Sequence, residues 1–200
     1  MLLLSQLYKL KKEDIIKAAN VLVDAYSEDP VMRLVFKEDK QRYIQFKVML
    51  KFCMKYGDVY APSDRIEGVM LILPYENADM TVPRIILSGG FFLSMKLMKF
   101  RKMFEKNIEI IESVKKNLDI GPYIYLFVIG VKQEFQGKGF GGKMLGALME
   151  KADIEKKPMY LETQLEKNVS LYEKYGFYIY EKKELQDPNL PFWFMVRDAK

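Results

Sequence analysis

Tyr125-Leu126-Phe127-Val128-Ile129-Gly130-Val131-Lys132-Gln133-Glu134-Phe135-Gln136-Gly137-Lys138-Gly139-Phe140-Gly141-Gly142-Lys143-Met144-Leu145 is the stretch that decides the fold. Positions 123–131 are apolar, β-branched or aromatic almost throughout, as expected of a strand covered on both faces. From Gly141 onward, Met144, Leu145, Leu148 and Ala152 recur at helical spacing. Between strand and helix, Gly137, Gly139, Gly141 and Gly142 place four glycines in six residues. Their amides are unshielded by side chains at a helix N-terminus, where free N–H groups and the helix dipole both attract an anion. The plainer reading is that the glycines only let the helix pack on the strand, but tight packing needs one glycine rather than four.

Three phosphate-binding patterns overlap on this loop. Gly137, Gly139 and Gly142 spell G-x-G-x-x-G, with Glu162 at the spacing of a ribose-binding acid. That fingerprint puts its first glycine directly at the strand end, whereas Lys132–Gln136 intervene here, and too little chain follows for a doubly wound sheet. Gly137 to Lys143 also spells G-x-x-x-x-G-K, but Met144 stands where a P-loop needs Ser or Thr for Mg²⁺. The third pattern is Q-x-x-G-x-G, filled by Gln136, Gly139 and Gly141 shortly after a strand ending in Val131.

In this third form the loop resembles the acetyl-CoA loop of the GNAT superfamily of N-acetyltransferases. The resemblance continues through Leu161-Glu162-Thr163, then Asn168, Tyr172, Glu173, Gly176 and Phe177 as N-x-x-x-Y-E-x-x-G-F. A late P-x-W-x-M (Pro191, Trp193, Met195) makes the last part of the chain similar to the branch containing puromycin N-acetyltransferase. The N-terminal part is similar only in the order of its elements. The resemblance implies an α/β (α+β) fold with a mixed, mostly antiparallel sheet and helices on both faces. It also implies acetyl-CoA as cosubstrate and an amine as acceptor.

The composition agrees with these limits. Two hundred residues, half of them apolar, suit one compact domain. Met1-Leu2-Leu3-Leu4 is interrupted at once by Ser5, Gln6 and Lys9, so no cleavable signal peptide is expected. The single cysteine, Cys53, excludes an internal disulfide and falls on an apolar stripe, pointing to a cytosolic protein with a core thiol. The absence of histidine removes Ser-His-Asp and Cys-His catalysis and an ordinary zinc site, so no metal is expected. Acid–base work falls to Glu, Asp, Tyr, Lys or water. The net charge of +5 suits a polyanionic ligand and a solvated surface equally. No nucleic-acid motif is present, and a homodimer is left open.

Along the chain, residues 2–9 fit a first edge strand. Lys11–Asp14 opens a helix with Ile15, Ala19, Leu22 and Tyr26 on one face, stopping near Glu28-Asp29-Pro30. A second helix over 38–56 carries Tyr43, Phe46, Leu50 and Cys53 and ends at Gly57. Asp58–Ala61 and Ile66–Leu73 read as a hairpin. Residues 75–121 form a helical insertion, with helices over 83–101 and 102–118 broken or bent at Gly89-Gly90, expected over the acceptor side. Its apolar run, Ile85 to Met95, is too short to span a bilayer. With Lys96, Lys99, Arg101 and Lys102 after it, a helix packed on the domain is the expectation rather than membrane contact.

The chemistry then assigns candidates. The loop Gln136, Gly137, Lys138, Gly139, Phe140, Gly141 and Gly142 holds pyrophosphate through backbone amides. Lys138 and Lys143 either add charge there or are solvated. The resemblance implies a splayed strand end, where backbone at Ile129, Gly130 and Val131 pairs with the pantetheine arm and one N–H faces the developing oxyanion. Gly130 permits close backbone approach or marks a bulge. The resemblance gives Tyr172 the role of general acid for the leaving thiolate and Asn168, one turn earlier, a contact with the CoA arm. The alternative for Tyr172 is packing, the usual fate of a tyrosine in a chain holding thirteen. Glu162 is the first candidate for general base, with a structural role as its alternative, and Glu28, Asp29 and Glu67 are lesser candidates. Trp193 and Phe194 either wall the acceptor pocket or pack in the core. The acceptor is expected to be a small amine; a protein amine, or a CoA-binding module without catalysis, are the other readings.

Overall fold

A computed structural model describes residues 3–36, 38–91, 105–185 and 190–200. The centre is a seven-stranded sheet: β1 (Tyr8–Lys9), β2 (Asp58–Ala61), β3 (Gly68–Pro74), β4 (Ile124–Val131), β5 (Met159–Thr163), β6 (Tyr178–Leu185) and β7 (Leu190–Arg197). Their order is β1-β2-β3-β4-β5-β7-β6. Among the described residues only β4 and β5 run parallel, and the other pairs are antiparallel. The helices among the described residues are α1 (Ile15–Ala25), α2 (Pro30–Val35), α3 (Asp39–Tyr56), α4 (Val82–Leu87), α5 (Glu105–Lys116), α6 (Phe140–Glu155) and α7 (Glu166–Glu173).

Strand alternation divides the core into two halves. Val69, Leu71 and Leu73 of β3 join Leu22 of α1 and Phe46, Leu50 and Cys53 of α3. Met70 and Ile72 face the other way, onto Met144, Leu145 and Leu148 of α6 and Tyr172 of α7. The period of two in β3 meets the helical period of its neighbours on each side, so this strand is sealed on both faces. Cys53 is fully buried, and burial pushes its thiol well up.

Several local expectations change. The first edge strand shrinks to Tyr8–Lys9, because Leu4–Gln6 winds into a 3-10 turn that lays Leu4 and Leu7 on the α6 half of the core. Helix α1 ends at Ala25, and Pro30 starts a new helix rather than only closing the old one. Asp29 caps α2 by accepting from the Met32 amide at 2.8 Å, with proline at the first helical position where it loses no bond. The α3 helix does stop at Gly57, but not through a left-handed cap: φ is −156°. A Cβ there would lie 2.1 Å from the Ile72 carbonyl oxygen, so close strand approach is what demands glycine.

In the insertion, α4 stops at Leu87, with Ser88 Oγ donating to the Arg84 carbonyl and Gly89 at φ +82°. The chain therefore breaks at Gly89-Gly90 as its composition suggests. The rest of the two expected helices between 92 and 104, with the apolar run's end and its basic flank, lies outside the described residues. Val114 and Leu118 at the end of the insertion are buried against the α1–α3 half of the core. No helix among the described residues is long and apolar enough to cross a membrane.

Candidate active site

The site arises because β4 and β5 part company. Their parallel pairing covers only Ile124↔Met159 and Tyr125↔Tyr160. Beyond that point β3 keeps hold of β4 as far as Val131, while β7 keeps hold of β5 as far as Thr163. A bulge helps to bend β4 away. Leu71 and Ile72 are opposite Val128 and Leu126, leaving Phe127 unmatched and turning both Phe127 and Val128 to the α1–α3 side. The bulge is thus at Phe127 and not at Gly130. A Cβ at Gly130 would sit 3.0 Å from Ala25 Cβ and 3.1 Å from Leu22 Cδ2, so this glycine lets α1 lie close to β4.

Between the strands lies a cleft of about 360 Å³, bounded by the backbone of 126–131, by Glu162 and Thr163, and by α6 and α7. Strand parity tells which peptide groups face it. The Lys132 amide donates to the Glu67 carbonyl at 3.0 Å, so Gly130 also turns its backbone to β3, and Ile129 and Val131 turn theirs to the cleft. Their carbonyls already have partners. Tyr26 Oη donates to Ile129 O at 3.0 Å, and Gln136 Nε2 donates to Val131 O at 3.0 Å. Gln136 thus fastens the loop to the strand edge.

The loop enters α6 through a 3-10 turn, Gln133–Phe135. Gly137 and Gly139 have φ of +75° and +84°, the left-handed region that side chains with a Cβ avoid. A Cβ on either would meet nothing within 4 Å, so it is the backbone conformation and not crowding that calls for glycine at both positions. Gly141 and Gly142 line the cleft with Gln136, whereas Gly137, Lys138, Gly139 and Phe140 lie outside its lining. A Cβ on Gly142 would be 2.6 Å from the Tyr175 hydroxyl, so Tyr175 lies directly over that residue. Lys138 Nζ stands 5.5 Å from the centre of the Phe135 ring, and the Phe135 and Phe140 rings meet edge to face. Lys143 is tied elsewhere, donating to the Pro62 carbonyl at 2.8 Å.

On α7, Asn168 and Tyr172 both reach the cleft from one face of the helix. Asn168 Nδ2 donates to Thr163 Oγ1 at 3.2 Å. The Tyr172 ring packs on Phe177, 5.6 Å between centres, and burial pushes its hydroxyl up to about 12. Tyr26 bounds the cleft from α1. Its hydroxyl is also raised, first by burial and then by the field of Tyr172. Sequence reasoning placed Tyr26 only on a packing stripe; nothing in the pattern separates a core tyrosine from one whose hydroxyl ends on a strand edge.

Glu162 comes from the opposite side. On β5, Leu161 points to the α6 half of the core, while Tyr160 points to the α1–α3 half. By the same alternation Glu162 lies on the side of Tyr160, reaching the cleft from the face away from Tyr172. It accepts from Tyr160 Oη at 2.7 Å and pairs with Lys115 Nζ at 3.1 Å. Burial, then the Glu162 carboxylate, hold the Tyr125 and Tyr160 hydroxyls far above their usual range. Of the lesser acids, Glu28 and Asp29 line the cleft. Glu28 pairs with Arg33, and Asp29, raised by burial, is committed to capping α2. Glu67 lies outside the lining and accepts from Ser63 Oγ at 2.9 Å with both oxygens in the β2–β3 turn. Trp193 and Phe194 are core residues. No group of three or more His, Cys, Asp or Glu among the described residues gathers as a metal site.

Known proteins share this fold. Residues 103–179 match the family model described as Acetyltransferase (GNAT) domain. The chain is 29% identical over 209 residues to an uncharacterized N-acetyltransferase of Schizosaccharomyces pombe, covering 96% of this chain and 83% of that protein. Among solved structures, it is similar to one described as histone acetyltransferase HPA2 and related acetyltransferase from Corynebacterium glutamicum. The TM-score is 0.67 at 20% identity, over 98% of this chain and 96% of the other. It is similar also to arylalkylamine N-acetyltransferase 2 from Aedes aegypti, with TM-score 0.64 and 16% identity over 97% and 98% of the two chains. The seven-stranded sheet is the fold of these neighbours. Residues 103–179 are thus similar to a GNAT acetyltransferase domain, and the fold around them is that of the solved neighbours.

Proposed function

We propose that the chain transfers an acetyl group from acetyl-CoA to a primary amine, of a small molecule, by direct attack in a ternary complex. The observation that carries this reading is the cleft between β4 and β5, with the backbone of Ile129 and Val131 facing it, the glycine loop beside it and Tyr172 within it. The left-handed turns at Gly137 and Gly139 and the first turn of α6 fit a pyrophosphate. The edge of β4 beyond Tyr125 fits an extended arm that pairs as a strand would. Acetyl-CoA supplies an activated acyl carbon.

The residues of the chain do the remainder. Glu162 takes a proton from the acceptor's ammonium, directly or through water. The freed lone pair attacks the thioester carbon; the C–N bond forms and the C–S bond breaks. An N–H on β4 steadies the charge on the carbonyl oxygen. Tyr172 gives its proton to the departing thiolate, and the amide nitrogen's surplus proton restores Tyr172 by way of solvent. A phenol held neutral to about pH 12 keeps that proton available throughout the working range.

The resemblance of the last part of the chain to the puromycin N-acetyltransferase branch, and the fold likeness to an arylalkylamine N-acetyltransferase, support a small amine. A protein amine as acceptor is the second reading, favoured by the likeness to the structure described as a histone acetyltransferase. Release of free thiol from acetyl-CoA with a panel of small amines and lysine peptides tests the choice. No amine-dependent release, with CoA binding intact, would leave a CoA-binding module instead.

A further inference from the structure

Lys115, near the end of α5, brings its ammonium 3.1 Å from Glu162 Oε1 and 4.9 Å from the centre of the Tyr125 ring. A carboxylate on one side and an aromatic face on the other is the environment that holds a protonated amine. The seat is built around the carboxylate. Tyr160 Oη donates to Glu162 at 2.7 Å, and the Tyr160 ring packs against Tyr125 and Tyr123 at 5.2 and 5.3 Å between centres. Glu162 is only 15% exposed and is part of the cleft lining.

An ion pair that serves only to fasten α5 is a weak explanation. The desolvation of two nearly buried charges offsets most of their attraction, and Val114 and Leu118 already anchor this segment in the core. The position of the pair matters more: its Glu162 half lines the cleft just past the point where β5 leaves β4, on the face opposite Tyr172, with Lys115 and Tyr125 behind the lining.

We propose that this is the seat of the acceptor's ammonium, filled in the free protein by Lys115 as a built-in stand-in. The acceptor is then a small primary alkylammonium that displaces the Lys115 head, with its first methylenes against Tyr125. The inference takes its meaning from the proposed acetyl transfer, but the cation seat can be tested without it.

The test uses the full chain with Lys115→Ala, and Lys115→Gln as a second variant that keeps the stem if the first unfolds. Thermal unfolding is followed against propylammonium chloride, with equal sodium chloride as the control. Both variants should bind propylammonium about tenfold more tightly than the parent, the factor expected if Lys115 holds the seat nine-tenths of the time. Adding Glu162→Gln should abolish that gain. In the thiol-release assay the amine KM should fall by a similar factor. Propylammonium binding that is the same with and without Lys115 overturns the proposal. So does tighter binding of a lysine peptide than of propylammonium, which would assign the seat to a protein side chain. If the seat behaves as expected but no amine drives thiol release, acetyl transfer fails and the seat stands. If transfer proceeds and Lys115 is indifferent to amine binding, the seat fails and the transfer stands.

Discussion

The Tyr26 hydroxyl donates to the Ile129 carbonyl at 3.0 Å, joining α1 to the free edge of β4 across 103 residues of chain. This bond fixes a peptide that the proposed chemistry relies on, while the ring itself packs on Phe46 at 5.4 Å between centres.

Tyr26→Phe keeps that packing and removes only the hydroxyl. The expected stability loss is about 1 kcal/mol, the usual net worth of one hydrogen bond. The strand edge proposed to pair with the CoA arm then loses its fixed orientation, so CoA affinity weakens and kcat falls. Urea unfolding and steady-state kinetics on the one variant check both parts; full turnover would make the bond a packing detail.

Gly141→Val is the cleanest probe of the loop. Position 141 has no left-handed φ, and its Cβ would meet only Val131 Cγ2 at an ordinary 3.7 Å, so the fold should survive. Gly139→Val would instead add backbone strain at φ +84°, confusing folding with binding. The parent should gain about 2.7 kcal/mol at a hundredfold excess of CoA over its Kd. In Gly141→Val that gain should vanish. A variant stabilised like the parent would place the phosphates elsewhere.

Tyr172→Phe separates chemistry from binding. Loss of a general acid should lower kcat about 10²–10⁴-fold with CoA affinity unchanged. The ring contact with Phe177 is retained, so stability should stay within about 1 kcal/mol. Equal loss of affinity and turnover would make the tyrosine a binding residue.

The pH profile gives a further check on the same group. The folded hydroxyl titrates near 12, above its ordinary value of 10.0. The neutral acid is therefore intact at all pH values below about 10, and its contribution to stability is lost only as pH rises through about 12. No alkaline fall in kcat should occur below pH 10 on account of Tyr172. A fall near pH 8 that disappears in Tyr172→Phe would overturn this assignment.

Away from the cleft, Asp153 grips the buried Arg197 through two bonds of 2.9 and 2.8 Å, and the Lys200 amide donates to the same carboxylate at 2.9 Å. The guanidinium beside it holds the Asp153 carboxyl below its ordinary value of 3.8. That contribution is present above pH 3.8 and is lost as pH falls through the lower folded value. Asp153→Asn leaves Arg197 without its counter-charge and should cost about 2 kcal/mol, less than a fully buried pair because Asp153 is partly exposed. Its acid denaturation should begin less steeply than that of the parent.

Local pattern carried much of the fold. The apolar run through Val131, the four glycines and the helical spacing after Gly141 specify a strand, an anion loop and a helix from short-range physics alone, and α3 and the β2–β3 hairpin were as plain. Asn168 and Tyr172 needed only one helical turn to be placed together. Pattern was weaker at the chain's first residues. The apolar stretch of Leu2 to Leu4 reads as strand, yet the 3-10 turn at Leu4–Gln6 wins because it seats Leu4 and Leu7 on α6, a partner more than a hundred residues away.

What the chain could not disclose by itself are the relationships across the sheet. The position of the bulge at Phe127, the parting of β4 from β5 and the hold of Tyr26 on Ile129 depend on which strand each edge finds. In sequence Glu162 is a candidate base at a strand end, and no pattern singles out Lys115. Only the tertiary structure brings them to 3.1 Å and lays the ammonium over Tyr125. Spacing within an element follows from the geometry of one helix or strand, which residue order encodes. Contact between elements follows from how whole faces pack, and no local pattern encodes that.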